Sequence, residues 1–327
     1  MKKVFIIILA ILDLGAIACL VLAYGPFTGF RDWFISTASG SWEHSYFAHV
    51  IYSDKQIQET LDSMKTFEVE GVTDTSQITF DNSDKGVYES IYDEQVLKRD
   101  EGNDLYKVIE ISGNKYNGYI LVVYDPSRLS LFNSPKLKTG GQKLTSLAKT
   151  ADAIAAVNAS GFVRNKQTRA LSPNGTLIID GKLYTDKGGS IIGFNKDNVL
   201  VLTKESASSA IEQGIVNAVS FEPFLIVNGE PSKFKKGGGF GLRPRTAIGQ
   251  RKDGIVLFVV IDGNSYGTTG IDMEDLTDIF IRYGAYNAAN LDGGGSSAMY
   301  VDGKVINHPA GFGYTGERYL INAWILK

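Results

Sequence analysis

The apolar run at residues 4–24, VFIIILAILDLGAIACLVLAY, constrains the chain more than any other stretch. Backbone amides in so long an apolar segment have no water to bond, so an uninterrupted helix is the natural solution. At about 1.5 Å per residue it spans a hydrocarbon layer about 30 Å thick. Lys2 and Lys3 precede the run, which by the positive-inside rule keeps the N-terminus cytoplasmic and sends the rest of the chain outside. A cleaved signal peptide is the rival, because Ala16 and Ala18 form an A-x-A-like site. Against it, apolar sequence continues past Cys19 through Leu20, Val21 and Leu22, where a cleaved signal turns polar. Ala16 is also smaller than the aliphatic residue a lipoprotein signal carries three positions before its cysteine. Residues 1–25 therefore read as an uncleaved signal anchor of a single-pass cell-membrane protein. Asp13 costs about 2.5–3.5 kcal/mol at the centre of such a helix unless it meets a partner. It marks a contact with another membrane helix, or else its apolar neighbours simply outweigh it.

Beyond the anchor, an apolar fraction of 43% can supply a sizeable core. The 33 basic and 36 acidic residues are interspersed and sum to a net charge of -3, which leaves no basic patch for nucleic acid. Cys19 is the only cysteine and lies in the anchor, so the folded part has neither internal disulfides nor cysteine-ligated zinc.

Residues 26–104 read as a juxtamembrane stalk and linker. Residues 41–64 carry irregular helical patterning, and residues 71–104 are polar, acidic and rich in turn formers, the texture of a linker or a poorly packed lead-in. From Leu105 the texture changes to short β-rich runs with hairpin-style turns: YKVIEIS, GYILVVYDP, TLIIDGKLY and SIIGFNKDNVLVL. Helical patterns interrupt them at residues 144–152 and 273–283, the second behind Asp272, a good N-cap. The closing YLINAWILK reads as a buried strand. The expected class is α+β: a mixed β-sheet domain with packed helices over 105–327, preceded by one transmembrane helix and a helical stalk.

Three apolar runs end in polar or glycine-rich sequence: Asn158 to Phe162, Asp262 with Gly263, and Asp292 with Gly293 to Gly295. Strand ends deliver side chains to a shared rim, and glycine lets a ligand approach the backbone; ordinary turns are the alternative for any one of them. In NLDGGGSSAM, ordering three successive glycines is costly unless positive φ or close ligand approach demands them. No lysine follows the glycines, so this is not a Walker loop, and G-x-S-x-G spacing is absent, so it is not a nucleophile elbow. What remains is an oxyanion or phosphate cradle of backbone amides, with hydroxyls at Ser296 and Ser297 beside the Asp292 carboxylate. In RPRTAIG, Arg245 and Thr246 begin a strand that pairs with the one ending at Asp262, so Arg245 is expected at the same rim, holding phosphate or pairing with a surface acid. Of the histidines, His44 and His49 fall in the stalk and only His308 in the domain, which disfavours histidine triads and histidine-rich metal sites. Proton transfer falls to carboxylates.

Taken together, VNASGF, RPRTAIG, VVIDG with downstream GTTGIDMEDL, NLDGGGSSAM and ERYLINAWIL resemble the phosphodiester glycosidase family in order and spacing, over about residues 151–327. One departure is VNASGF, where the family more often carries a glycine pair after the asparagine. The resemblance implies hydrolysis of a sugar joined through its anomeric carbon to a phosphodiester, in an envelope or exopolysaccharide polymer given the anchor. A non-catalytic phosphoglycan-binding module is the alternative. The hydrolase reading implies Asp292 and Asp262 as catalytic carboxylates with Glu317 as a third, their roles as nucleophile or base left open. Asn158 is expected to meet a sugar hydroxyl or N-acetyl group, with Gly161, Arg245, Thr246, Gly293 to Gly295, Ser296 and Ser297 completing the substrate contacts. No cofactor is expected, although the two aspartates could instead hold a structural or catalytic divalent cation such as Ca²⁺.

Overall fold

The computed structural model describes residues 2–26, 28–39, 45–63, 68–84, 86–234, 241–263, 268–310 and 316–327. It divides into two compact units, one comprising Met1–Thr66 and Phe234–Leu242, the other Phe67–Lys233 and Arg243–Lys327.

The first unit is helical. Lys2–Tyr24 forms one exposed helix whose Ile6–Tyr24 part is long and apolar enough to cross a membrane, a property it shares with signal sequences. Asp13 lies exposed on it. Thr28–Ser39, Ser45–Ile51 and Asp54–Ser63 follow as helices and share a small core of Ile35, Ala48, Tyr52 and Ile57. His44 lies outside the described residues.

The second unit is α+β. A seven-stranded sheet runs in the order Tyr106–Gly113, Tyr116–Val123, Val256–Ile261, Arg245–Arg251, Ala285–Asn290, Phe224–Val227 and Glu230–Pro231. A five-stranded sheet is ordered Lys304–Val305, Met299–Val301, Ala155–Asn158, Asn322–Leu326 and Leu129–Asn133. Another is ordered Leu200–Thr203, Ile191–Asn195, Ile215–Ser220, Leu177–Ile179 and Lys182–Thr185. Neighbouring strands pair antiparallel in all three, as in the registers Arg245 with Ile261 and Ala323 with Asn158.

The three sheets meet in one core, and the period of two in each strand explains why the central runs are apolar throughout. In Ala155–Asn158, Ala155 and Val157 face that common core while Ala156 faces the helix Leu144–Ala151. In Asn322–Leu326, Trp324 and Leu326 point inward while Ala323 and Ile325 meet the same helix. The helix Met273–Arg282, capped by Asp272, covers the outer face of the seven-stranded sheet. Gly249 is glycine there because an added Cβ would fall 2.7 Å from the Phe280 ring.

The stretch 71–104 is not the loose linker its polarity suggests. Thr73 hydroxyl accepts from the Leu202 amide at 2.9 Å, Thr79 amide donates to Lys252 carbonyl, and Asp93 pairs with partly buried Arg251 at 2.8 Å. Val96, on the short helix Ile91–Leu97, is fully buried. Its polar residues satisfy the rims of two sheets, a role invisible to a hydropathy pattern.

Trp324 is 1% exposed and meets Phe194 edge-on at 5.4 Å, joining two sheets. Trp324→Ala should therefore cost about 3–5 kcal/mol, read as a lowered urea midpoint with unchanged slope.

Candidate active site

The strand ends that sequence singled out meet at one end of the core. Asn158, the last residue of its strand and 1% exposed, works entirely inside the protein. Its Nδ2 donates to the Asp292 carbonyl at 2.5 Å, and its Oδ1 accepts from Thr246 Oγ1 at 2.9 Å and from the Ala298 amide at 3.0 Å. Both acceptor lone pairs are occupied, so the side chain braces the glycine loop, and the second Nδ2 hydrogen is the group that remains for a sugar hydroxyl. Thr246, fully buried, is part of that brace rather than a lining residue. Gly161 is also buried, and a Cβ there would sit 3.1 Å from the Phe221 ring.

The loop itself is a short 3₁₀ turn over Gly294–Ser296, with Gly294 at φ 61°. Gly294 amide donates to Pro244 carbonyl, Ser296 amide to Gly293 carbonyl and Ser297 amide to Gly294 carbonyl. The amides of Gly293 and Gly295 have no partner among the described residues. Ser296 and Ser297 hydroxyls are buried and also unpartnered, the condition expected where a ligand supplies acceptors. Gly293 packs over the neighbouring strand, since an added Cβ would lie 3.0 Å from Pro244 carbonyl oxygen and 3.8 Å from Arg245 Cδ.

Asp292 stands at the head of this loop. Burial pushes its carboxyl up to about 6, against smaller downward pulls from the Ser296 hydroxyl, which lies near but outside hydrogen-bonding geometry, and from the charge of Arg318. Asp262, 4% exposed, is held differently. One oxygen accepts from Asn307 Nδ2 and the His308 amide, both at 2.9 Å, and the other meets His308 Nδ1 at 3.1 Å. Asn307 Nδ2 also donates to Ser297 carbonyl at 3.1 Å, which ties Asp262 to the glycine loop.

Arg245 and Asp262 do not share a rim. Arg245 pairs with Ile261 and Thr246 with Val260, so alternation sends Thr246 and Asp262 to the core face and Arg245 to the opposite one. There Arg245 is 6% exposed, its Nε donates to Ile271 carbonyl at 3.4 Å, and it faces Asp272. Burial, with help from Arg243, depresses it to about 9 against the opposing pull of Asp272, leaving it charged at neutral pH. Glu317 also stands apart: its two oxygens accept from the amide and hydroxyl of Thr145 at 2.7 Å. It thus caps the helix Leu144–Ala151, whose own N-cap Lys143 makes no side-chain bond. The catalytic expectation for Glu317 is corrected to this structural one.

Asn307, His308 and Arg318 join the site without standing among the residues expected from sequence. His308 is the domain's lone histidine, which is the one local signal that points to it. Arg318, beside Glu317, carried none. Gly267 of the GTTGIDMEDL segment lies outside the described residues. Among the described residues, no three His, Cys, Asp or Glu side chains converge as metal ligands. An open cavity lined by Glu110, Tyr119, Asp302 and Lys304 lies elsewhere, between the strand Tyr106–Gly113 and the hairpin at Lys304–Val305.

The phosphodiester glycosidase family model matches residues 151–327, which includes every element of this constellation. The chain belongs to that family. It is 32% identical over 182 residues to the SPbeta prophage-derived uncharacterized protein YomE of Bacillus subtilis (strain 168), covering 52% of this chain and 28% of that one. It is 27% identical over 183 residues to the human N-acetylglucosamine-1-phosphodiester alpha-N-acetylglucosaminidase, covering 50% and 35% respectively. The matches thus span about a third of the length of these relatives. The catalytic domain of the zebrafish enzyme of that name, auto-inhibited by its pro-peptide, shares the fold with a TM-score of 0.57 at 21% identity, over 69% of this chain and 85% of that one.

Because the folded-state pKa of Asp292 lies above the unfolded value of about 3.9, stability from its protonated form is complete below that value and is lost as pH rises through about 6. Asp292→Asn should therefore stabilise the domain by roughly 1–3 kcal/mol at about pH 7.5, with the advantage shrinking at about pH 4.5. Thermal melts at the two pH values check this.

Proposed function

We propose that this protein hydrolyses the glycosidic bond of sugar-1-phosphodiesters, releasing the sugar and leaving a phosphomonoester. The observation that carries the reading is the loop itself: a partly buried carboxylate raised to about 6 beside two unpartnered amides and two unpartnered buried hydroxyls. Cleavage breaks the bond between the anomeric carbon and the phosphate oxygen, and water supplies hydroxyl to the carbon. A phosphate monoester leaves readily, so the reaction needs less general-acid help than an ordinary glycosidase and more stabilisation of phosphate charge. The Gly293 and Gly295 amides and the Ser296 and Ser297 hydroxyls are the donors for that charge. Asp292, ionised at neutral pH, steadies the oxocarbenium-like carbon as nucleophile or activates water as base. Asp262 orders Asn307 and His308 and, through Asn307, the loop.

The ionised form is the working one in either role, so kcat/KM should fall with pH below about 6 and be flat above it. Asp292→Asn should lower cleavage by roughly 10²–10⁴-fold, read as released reducing sugar and phosphomonoester. Equal activity in the variant would remove Asp292 from the mechanism. Tight binding of a phosphoglycan by the unaltered protein without any release would make the chain a binding module instead.

The helix Lys2–Tyr24 supports a membrane-anchored protein with its β-rich domain extracytoplasmic, facing envelope or exopolysaccharide polymers. On this reading residues 1–25 are the anchor, the helices through Ser63 a juxtamembrane spacer, and the hydrolase begins upstream of residue 105. Alkaline carbonate should leave the full-length chain in the membrane fraction; a shortened, soluble chain beginning just after Ala18 would mean a cleaved signal.

A further inference from the structure

The cation expected at the loop, Arg245, lies beneath Gly293 but is buried, with Nε donating to Ile271 carbonyl and its charge set against Asp272, so an exposed phosphate needs a second positive charge within reach. Arg318 is the arginine whose charge acts on Asp292. It is exposed and makes no hydrogen bond or ion pair among the described residues. Its guanidinium lies over the Phe162 ring, 4.9 Å from the centroid. Its stem runs past the glycine loop, where a Cβ on Gly295 would stand 3.9 Å from Arg318 Cδ. Stacking on an aromatic face fixes the plane of a guanidinium while leaving its N–H edge free for an anion.

We propose that Arg318, packed over the Phe162 ring, is the cation that binds the substrate's phosphate, with the Gly295 amide and the neighbouring serine hydroxyls closing the cradle. This rests on the phosphodiester reading above and assigns its charge-bearing group. Phe162 is a positioning residue that acts through Arg318. The arrangement sets a preference as well: a phosphate drawn to an exposed arginine lies at the mouth of the site, so the alcohol beyond it projects toward solvent. Glu317, adjacent in sequence, is occupied at Thr145 and does not neutralise the arginine.

The test uses the full-length protein in detergent, with Arg318→Ala, Arg318→Lys, Phe162→Leu and Phe162→Tyr. Two substrates share one sugar, an N-acetylglucosamine 1-phosphodiester and its neutral aryl glycoside, and inorganic phosphate serves as an independent ligand measured by calorimetry. Arg318→Ala should raise KM for the phosphodiester and weaken phosphate binding by about 10- to 100-fold, with the aryl glycoside nearly unaffected. Arg318→Lys should recover only part, because an ammonium cannot reproduce the fork. Phe162→Leu should raise KM with little change in kcat, and Phe162→Tyr should restore it. Unchanged phosphate binding and KM in Arg318→Ala would overturn the proposal, as would an equal loss on both substrates. If the unaltered protein cleaves neither substrate, the hydrolase reading fails by itself, and loss of phosphate binding in Arg318→Ala still decides for or against the arginine.

Discussion

The side chain of Asn158 is the interaction on which the site depends. It sits in the interior at a strand end and joins three segments distant in sequence: the Thr246 hydroxyl, the Asp292 carbonyl and the Ala298 amide. A buried amide whose partners are all protein groups is stable only when each partner stays in place, because an orphaned polar group costs about 1–3 kcal/mol. The asparagine therefore defines where the glycine loop begins and ends. Asn307 does the same from the other side, linking Asp262 to Ser297 carbonyl and accepting from the Met299 amide. Between these two anchors the loop keeps an open conformation that its glycines alone would not hold.

That rigidity explains how unpartnered donors persist beside a partly buried carboxylate. The two buried serine hydroxyls and the Asp292 carboxylate are each unfavourable where they stand, and their combined cost is borne by the three-sheet core. Stability given up at one spot of an otherwise tightly packed domain is the pattern expected of a preorganised site. The two arginines divide along the same logic. Arg245, sealed beneath Gly293 and facing Asp272, supports the loop from below, whereas Arg318 reaches it from the solvent side.

The departure at VNASGF finds a local rationale. Ser160 donates from both amide and hydroxyl to Asn322 Oδ1, at 3.0 and 2.8 Å, which fastens the loop to the closing strand. Ala159 is buried, and its carbonyl accepts from the Asp292 amide at 3.2 Å. A glycine pair would lack this hydroxyl anchor; here the loop following Asn158 is tied at two points.

The amino-acid sequence by itself determined what short-range physics controls. The apolar run at 4–24, the helices behind Asp272 and at Leu144, and the closing strand all follow from periodicity and capping, and they fall within a few residues of their expected limits. It also determined that Asn158, Asp262 and Asp292 each stand at or just past a strand end, because apolar runs stop where the strands leave the core. Only the tertiary structure decided which way side chains point. A strand reverses its face at every residue, so the register of Arg245 against Ile261 put that arginine and Asp262 on opposite sides although they lie on neighbouring strands. Glu317 became a helix cap, and His308 and Arg318 became neighbours of aspartates, through contacts spanning many residues of chain. Those contacts depend on how sheets stack, and no local spacing encodes them.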